Sequence, residues 1–222
     1  MFNGKKVIDV HGHMTTPPAF RGAIANWVSQ NTGPSNHGAF PEISEEALAG
    51  ANKRHLDMLD DHSIDYQLLS PRPIAMWHWM RPFLQHAWAG MTNDVIAQIC
   101  KLHPDRFGGV AQLPQSRDED TSYVIEELER AVEKLGFRAV YAITNIDGKG
   151  IHEHDLWPFY ERVAELGIPL FIHPFLPPGA DEMRDFWLQT VLGVLFESAL
   201  TAARFAFSGL LDAVPELKLV VP

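Results

Sequence analysis

Three histidines carry the chemistry that this sequence offers. His11 and His13 stand one residue apart in "VIDVHGHM" (7–14), and His173 closes "PLFIH" (169–173). Each follows a short apolar run of strand character. Residues i and i+2 on a strand point the same way, so the pair can share one divalent ion. Neutral imidazole suits zinc, copper, iron and nickel. Chance must be weighed, because the chain holds 11 histidines in 222 residues. A second pair, His152 and His154, lies in the polar stretch "GIHEHDLW" ahead of a helix, where Asp155 reads as the cap. That pair is read as no site. The first pair differs in its position at a strand end, and His173 adds a third nitrogen there. Three protein ligands and an open position make a catalytic zinc site. The strand "FRAVYAIT" (137–144) contains no lysine to bridge two ions, so one metal is expected. Arg72 in "SPRP" ends another strand and can clamp a carboxylate in bidentate fashion; a loop arginine with no such role fits equally well. "MWHWM" (76–80) reads as aromatic packing under a loop around His78. His37, His55, His62, His86 and His103 belong to no constellation and read as surface or packing residues.

The elements that must position these residues alternate. Strands are expected at 6–10, 66–70, 107–114, 137–144, 169–173 and 217–221. Between them run segments of helical period. Ser44 precedes Glu45 and Glu46 as a helix start, and Leu48, Leu56 and Leu59 share the face of a helix reaching about Asp61. Helices follow at 83–102, after Asp120 or Thr121, at 155–166 and across 185–213, with Gly136 and Gly167 as stops. Residues 14–43, rich in Pro, Gly, Asn and Ser, read as a long loop excursion. Strands apolar on both faces, alternating with helices, predict parallel β/α units in one domain over 1–222. No GxGxxG or P-loop supports a nucleotide-binding sheet. In a (β/α)8 TIM barrel chemistry sits at the carboxyl ends of strands, where His11, His13, Ser70 to Arg72, Pro114 and His173 all fall. The fold expected is α/β, an incomplete barrel of that type with about six units present.

Composition narrows the partners. A net charge of −10 and a pI of about 5.5 leave no basic stripe for nucleic acid. The single Cys100 forms no internal disulfide, which fits a reducing compartment. The apolar stretches look too short for a membrane span of ~18 residues, and no leader opens the chain. A cytoplasmic protein is expected.

"VIDVHGHM", "HPDRFGGVAQLPQ", "GIPLFIHP", "FWLQTVLG" and "FSGLLDAVPELKLVVP" resemble, in that order, segments of the amidohydrolase-related family. Within that family the chain looks like the branch of aminocarboxymuconate semialdehyde decarboxylase and its relatives. The resemblance implies a zinc-bearing barrel in which His11, His13 and His173 match the family's ligand histidines. It implies that Trp187, fourteen residues after His173, lines the substrate pocket. Arg54 loosely matches an arginine that contacts substrate. "HGHMTTPP" and "SPRP" are also similar to oxalomesaconate hydratase, of the same family. The family's acid/base histidine follows the sixth strand in a His-x-Gly-Gly motif, and a metal-binding aspartate follows the eighth. Both lie beyond Pro222, so the 222-residue chain is expected to bind metal poorly and turn over little. The activity implied for the whole protein is non-oxidative decarboxylation of a small unsaturated or aromatic carboxylate, by a homodimer. The alternatives are hydrolysis of an ester, amide or thioester, hydration of a conjugated carboxylate, and a non-catalytic barrel or inactive fragment.

Overall fold

The computed structural model describes residues 2–30, 42–72, 78–117 and 120–221. Six parallel strands form one curled, open sheet of barrel type. Their order is β1 (Ile8–His13), β2 (Tyr66–Ser70), β3 (Phe107–Ala111), β4 (Ala139–Ile143), β7 (Pro169–His173) and β8 (Lys218–Val220). Every neighbour in the sheet follows in chain order with helix between, the winding of a β/α barrel. β1 and β8 are the edges.

Local chemistry sets the helices. In α2 (Glu45–Asp61) the Ser44 hydroxyl accepts from the Ala47 amide at 3.2 Å, and Glu45 and Glu46 occupy the positive first turn. Its buried Leu48 and Leu59 face the sheet. α3 (Pro82–Leu102) buries Trp88, Val95, Ile96 and Ile99. From the same helix Asn93 donates to the Gln112 carbonyl and accepts from the Gln112 amide, both at 2.8 Å, tying α3 to the end of β3. α4 (Ser122–Glu129) runs on as a π-turn over Arg130–Lys134. Its start is held by Asp120, which accepts from the Ser122 amide at 2.7 Å; Thr121 makes no side-chain cap bond. Gly136 and Gly167 end their helices at φ +73° and +68°, a region that glycine enters without strain.

Three expectations change. The excursion at 14–43 contains a helix, α1 (Pro18–Gln30), which starts at a proline as helices readily do; residues 31–41 lie outside the described residues. Asp155 does not cap α5 (Trp157–Glu165), which begins after a 3₁₀ turn at His154–Leu156. Its carboxylate instead pairs with Lys149. A small hairpin of β5 (Asn145–Ile146) and β6 (Lys149–Gly150) follows β4, turned by Asp147 and Gly148 at positive φ.

The last helical region, expected across 185–213, breaks after Phe207 and is more apolar than expected. Asp185–Phe207, with mean hydropathy 1.4 in its most apolar window, passes the length and composition test for a membrane span. Its inner face is nevertheless polar and committed to the barrel. Glu197 is buried and accepts from Asn145 Nδ2 at 3.0 Å, and the Thr201 hydroxyl donates to the Thr144 carbonyl at 3.3 Å. The continuous part is α6 (Val194–Phe207), and the short α7 (Leu210–Ala213) leads into β8.

Candidate metal centre

β1 does not run straight. Asp9 pairs with Gln67 and Gly12 with Leu69, so β1 spends one residue more than β2 over the same span. Such a bulge re-aims the side chains that follow it. Below the bulge, Asp9 points outward toward α2, where its carboxylate meets Gln67. Beyond it, Val10 and His11 line the interior together with Val110, Tyr141, Phe171 and His173. His13 ends the strand and faces the same mouth.

The structure brings His11, His13 and His173 together. One nitrogen from each can be chosen so that all lie within 4.8 Å of one another. Ring centroids are 5.4 Å apart for His11 and His13, 4.7 Å for His11 and His173, and 5.3 Å for His13 and His173. Two nitrogens on one ion at ~2.1 Å each stand at most ~4.2 Å apart, so the rings need to close only slightly. The outer nitrogens are already committed. His13 Nδ1 faces the Pro71 carbonyl at 3.0 Å and Ser70 Oγ at 2.9 Å, while that hydroxyl donates to the Gly12 carbonyl at 2.9 Å. His173 Nδ1 donates to the Pro174 carbonyl at 2.8 Å. Both rings therefore carry their proton on Nδ1 and leave Nε2 as a free lone pair, the arrangement that orients ligand histidines.

The electrostatics agree. Burial holds the His173 pKa down at about 4, against the bond to Pro174, and the neighbouring His11 and His13 lower it further. Burial and then His11 lower His13 as well. Both rings are neutral donors at pH 7, which suits a divalent metal.

Gly12, between the ligands, is required by packing. A Cβ there would lie 2.2 Å from Gln67 Cδ and 2.5 Å from its Cγ. Gly12→Ala should destabilise the protein by about 1–3 kcal/mol as the side chain is forced aside. A thermal melt checks this, and an unchanged midpoint would refute the close approach.

The other residues singled out from sequence separate into two groups. Arg54 and Arg72 line one open cleft with His11, His13 and Thr15; it encloses about 770 Å³, a small-molecule size. Trp187 is not brought there. It stands 78% exposed beside Phe186, both at positive φ on a 3₁₀ turn. His152 and His154 do not join a metal cluster among the described residues: the His152 carbonyl accepts from Trp157 Nε1 at 3.1 Å, and the His154 ring stacks on Trp157. His78 is packed edge-on against Phe175 at 4.5 Å, as aromatic packing under a loop requires, while Met76 and Trp77 lie outside the described residues. Sequence reading missed Tyr141, whose buried hydroxyl has no partner among the described residues and whose ring sits 4.9 Å from His173. It also missed His55, which bonds Gln67 behind the ligand pair.

Comparison with known proteins bears on this geometry. The chain is 32% identical over 160 residues to 2-amino-3-carboxymuconate-6-semialdehyde decarboxylase of Dictyostelium discoideum, a match covering 72% of this chain and 44% of that protein. It superposes on 4-oxalomesaconate hydratase of Rhodopseudomonas palustris with a TM-score of 0.79 and 26% identity, over 97% of this chain and 62% of the other. It superposes on a dihydroxybenzoic acid decarboxylase from Polaromonas sp. JS666, solved with bound manganese and 2-nitroresorcinol, with a TM-score of 0.73 and 27% identity, over 97% and 64%. The chain spans about half the length of the curated relatives it matches. The model of the amidohydrolase family named Amidohydrolase matches residues 8–222, and the chain belongs to that family.

Proposed function

We propose that this chain carries the metal-binding half of a metal-dependent carboxy-lyase acting on a small unsaturated or aromatic carboxylate. The observation that carries the proposal is the convergence of His11, His13 and His173 on one mouth; His11 and His13 also line a neighbouring open cleft whose wall presents Arg54 and Arg72. The three imidazoles would hold one divalent ion through Nε2 of His13, Nε2 of His173 and a nitrogen of His11. Zinc is the ion proposed, since three histidines and an open position are a catalytic set for it; the manganese in the Polaromonas structure names the competitor. Such an ion supplies Lewis acidity toward a bound oxygen. Arg72 and Arg54 supply fixed positive charge, and a guanidinium fork binds a carboxylate in two parallel hydrogen bonds. Ser70 and the Pro71 carbonyl keep the His13 ring from turning.

Hydration of a conjugated carboxylate is the second reading, favoured by the likeness to the oxalomesaconate hydratase over 97% of this chain. It uses the same ligands and the same carboxylate clamp. A homodimer and a cytoplasmic location complete the proposal. The exposed apolar row Val191, Leu192, Leu195 and Phe196 suits a second copy, and the free, half-buried Cys100 suits a reducing compartment. The test is carbon dioxide release from 2,6-dihydroxybenzoate and from carboxymuconate semialdehydes, using protein extended to the relatives' length and loaded with zinc or manganese. Release that falls at least ~100-fold in Arg72→Met supports the reading, in line with the loss of a charge-assisted clamp. Water addition to oxalomesaconate without any carbon dioxide release would select the hydratase, and neither activity would overturn both.

A further inference from the structure

A chain of hydrogen bonds runs behind the ligand pair, on the face of β1 and β2 that meets α2. Asp9 Oδ1 accepts from the main-chain amide of His11 at 3.0 Å, inside the bulge. Asp9 Oδ2 accepts from Gln67 Nε2 at 2.6 Å. Gln67 Oε1 faces His55 Nε2 at 2.7 Å, and His55 Nδ1 faces the Thr15 hydroxyl at 3.2 Å. A carboxylate only accepts, so each later member is fixed in turn. The Gln67 amide must turn its nitrogen to Asp9, its oxygen must accept from His55, and His55 must carry its proton on Nε2 and accept from Thr15. The donors all point one way, toward Asp9.

The placement of this chain is informative. Asp9 lies two residues before His11, Thr15 lies two after His13, and Gln67 fills the space left by the missing side chain of Gly12 between them. Gln67 is buried and His55 half-buried. The extra residue of the bulge is what turns His11 inward, and no regular ladder bond holds it there. We infer that Asp9, Gln67 and His55 are positioning residues: they lock the bulge and thereby set the aim of His11 and His13 at their ion. This rests on the metal reading proposed above.

The inference makes an unusual prediction, because the chain can run backwards. Asn in place of Asp9 still accepts from the His11 amide through Oδ1. Its Nδ2 then donates to a turned Gln67 oxygen, Gln67 donates to His55 Nε2, and His55 Nδ1 donates to the Thr15 hydroxyl. Every member stays paired. Asp9→Asn should therefore keep zinc affinity near that of the unaltered chain, while the His55 proton moves from Nε2 to Nδ1, visible in the ring nitrogen chemical shifts. Gln67→Leu cuts the chain and leaves Asp9 and His55 without this link. It should weaken Zn2+ and Mn2+ binding about 10-fold or more, the usual cost of losing a group that orients ligands. In the metal-free protein the same change should speed hydrogen exchange at the His11 amide, which Asp9→Asn should leave protected. If Gln67→Leu does not fold, His55→Leu on the half-buried helix side replaces it under the same criteria. Unchanged exchange and affinity in the cut variant would overturn the inference. So would Asp9→Asn losing as much as Gln67→Leu with the His55 proton unmoved. Unaltered protein extended to the relatives' length that takes up neither ion would sink the metal reading, and the His11 exchange would still decide the positioning role.

Discussion

In protein extended to the relatives' length, His173→Ala should weaken uptake of a divalent ion about 100-fold or more, and His11→Ala should do the same. Binding of structural zinc amounts to ~10–16 kcal/mol over four ligands. One ligand is then worth ~3 kcal/mol or more, about 100-fold in affinity. The chain has no slack in which to absorb that loss, because the three imidazoles are the only cluster of metal-binding type among the described residues. His173 should be the more damaging of the two for a structural reason. Its Nδ1 is pinned to the Pro174 carbonyl and its ring is buried against Tyr141, so its Nε2 is held in place, whereas the His11 ring is exposed. Calorimetric titration with Zn2+ and Mn2+ measures the effect. His154→Ala, from the pair that stays outside the cluster, is the control. Equal binding by His173→Ala and the unaltered chain would remove the metal centre from consideration.

The ligands were legible because their signal is local. "YQLLS" and "PLFIH" are apolar on both faces and bounded by turn residues, and the structure forms β2 and β7 over those same residues. A histidine ending such a run falls at the mouth of a parallel sheet whatever its neighbours do. Simple alternation on β1 also put His11 and His13 on one side, but for an incomplete reason. It put Asp9 on that side as well, whereas the bulge sends Asp9 out to Gln67. Nothing in "VIDVHGHM" announces a bulge, since the extra residue is defined only against the partner strand. His55 went unrecognised for a related reason. Its partners Thr15, Gln67 and Asp9 lie on three other segments, and only the packing of α2 on the sheet joins them. The β5–β6 hairpin is a different kind of miss. Asp147 and Gly148 form a recognised turn signal, but the flanking strands have two residues each and carry no periodicity.

The metal-free protein should lose most of its stability between pH 6.5 and 4, in a step controlled by two histidines. His173 and His78 are both buried, and burial holds each pKa at about 4. In the unfolded chain both return to the ordinary value near 6.5. Above pH 6.5 the rings are neutral in either state and impose no penalty. As pH falls below 6.5 the unfolded chain takes up protons that these two rings refuse in the folded protein, which lowers stability by up to ~2.7 kcal/mol per unit; burial lowers His13 and His55 as well and adds in the same direction. The decline ends near pH 4, where the folded rings protonate too. The loss from each ring is about 3 kcal/mol, and together they match the ~5–15 kcal/mol that holds a domain of ordinary stability. Denaturant melts across pH 4 to 7.5 measure the slope. His78→Phe should lower it by up to ~1.4 kcal/mol per unit, because the ring packs on Phe175 and its Nδ1 has no partner to lose among the described residues. Saturating Zn2+ or Mn2+ should shift the transition to lower pH, since an ion on His173 competes with the proton for the same nitrogen. A slope that stays the same in His78→Phe would show that His78 does not keep its proton off in the folded state. A transition indifferent to both ions would remove His173 from the metal site.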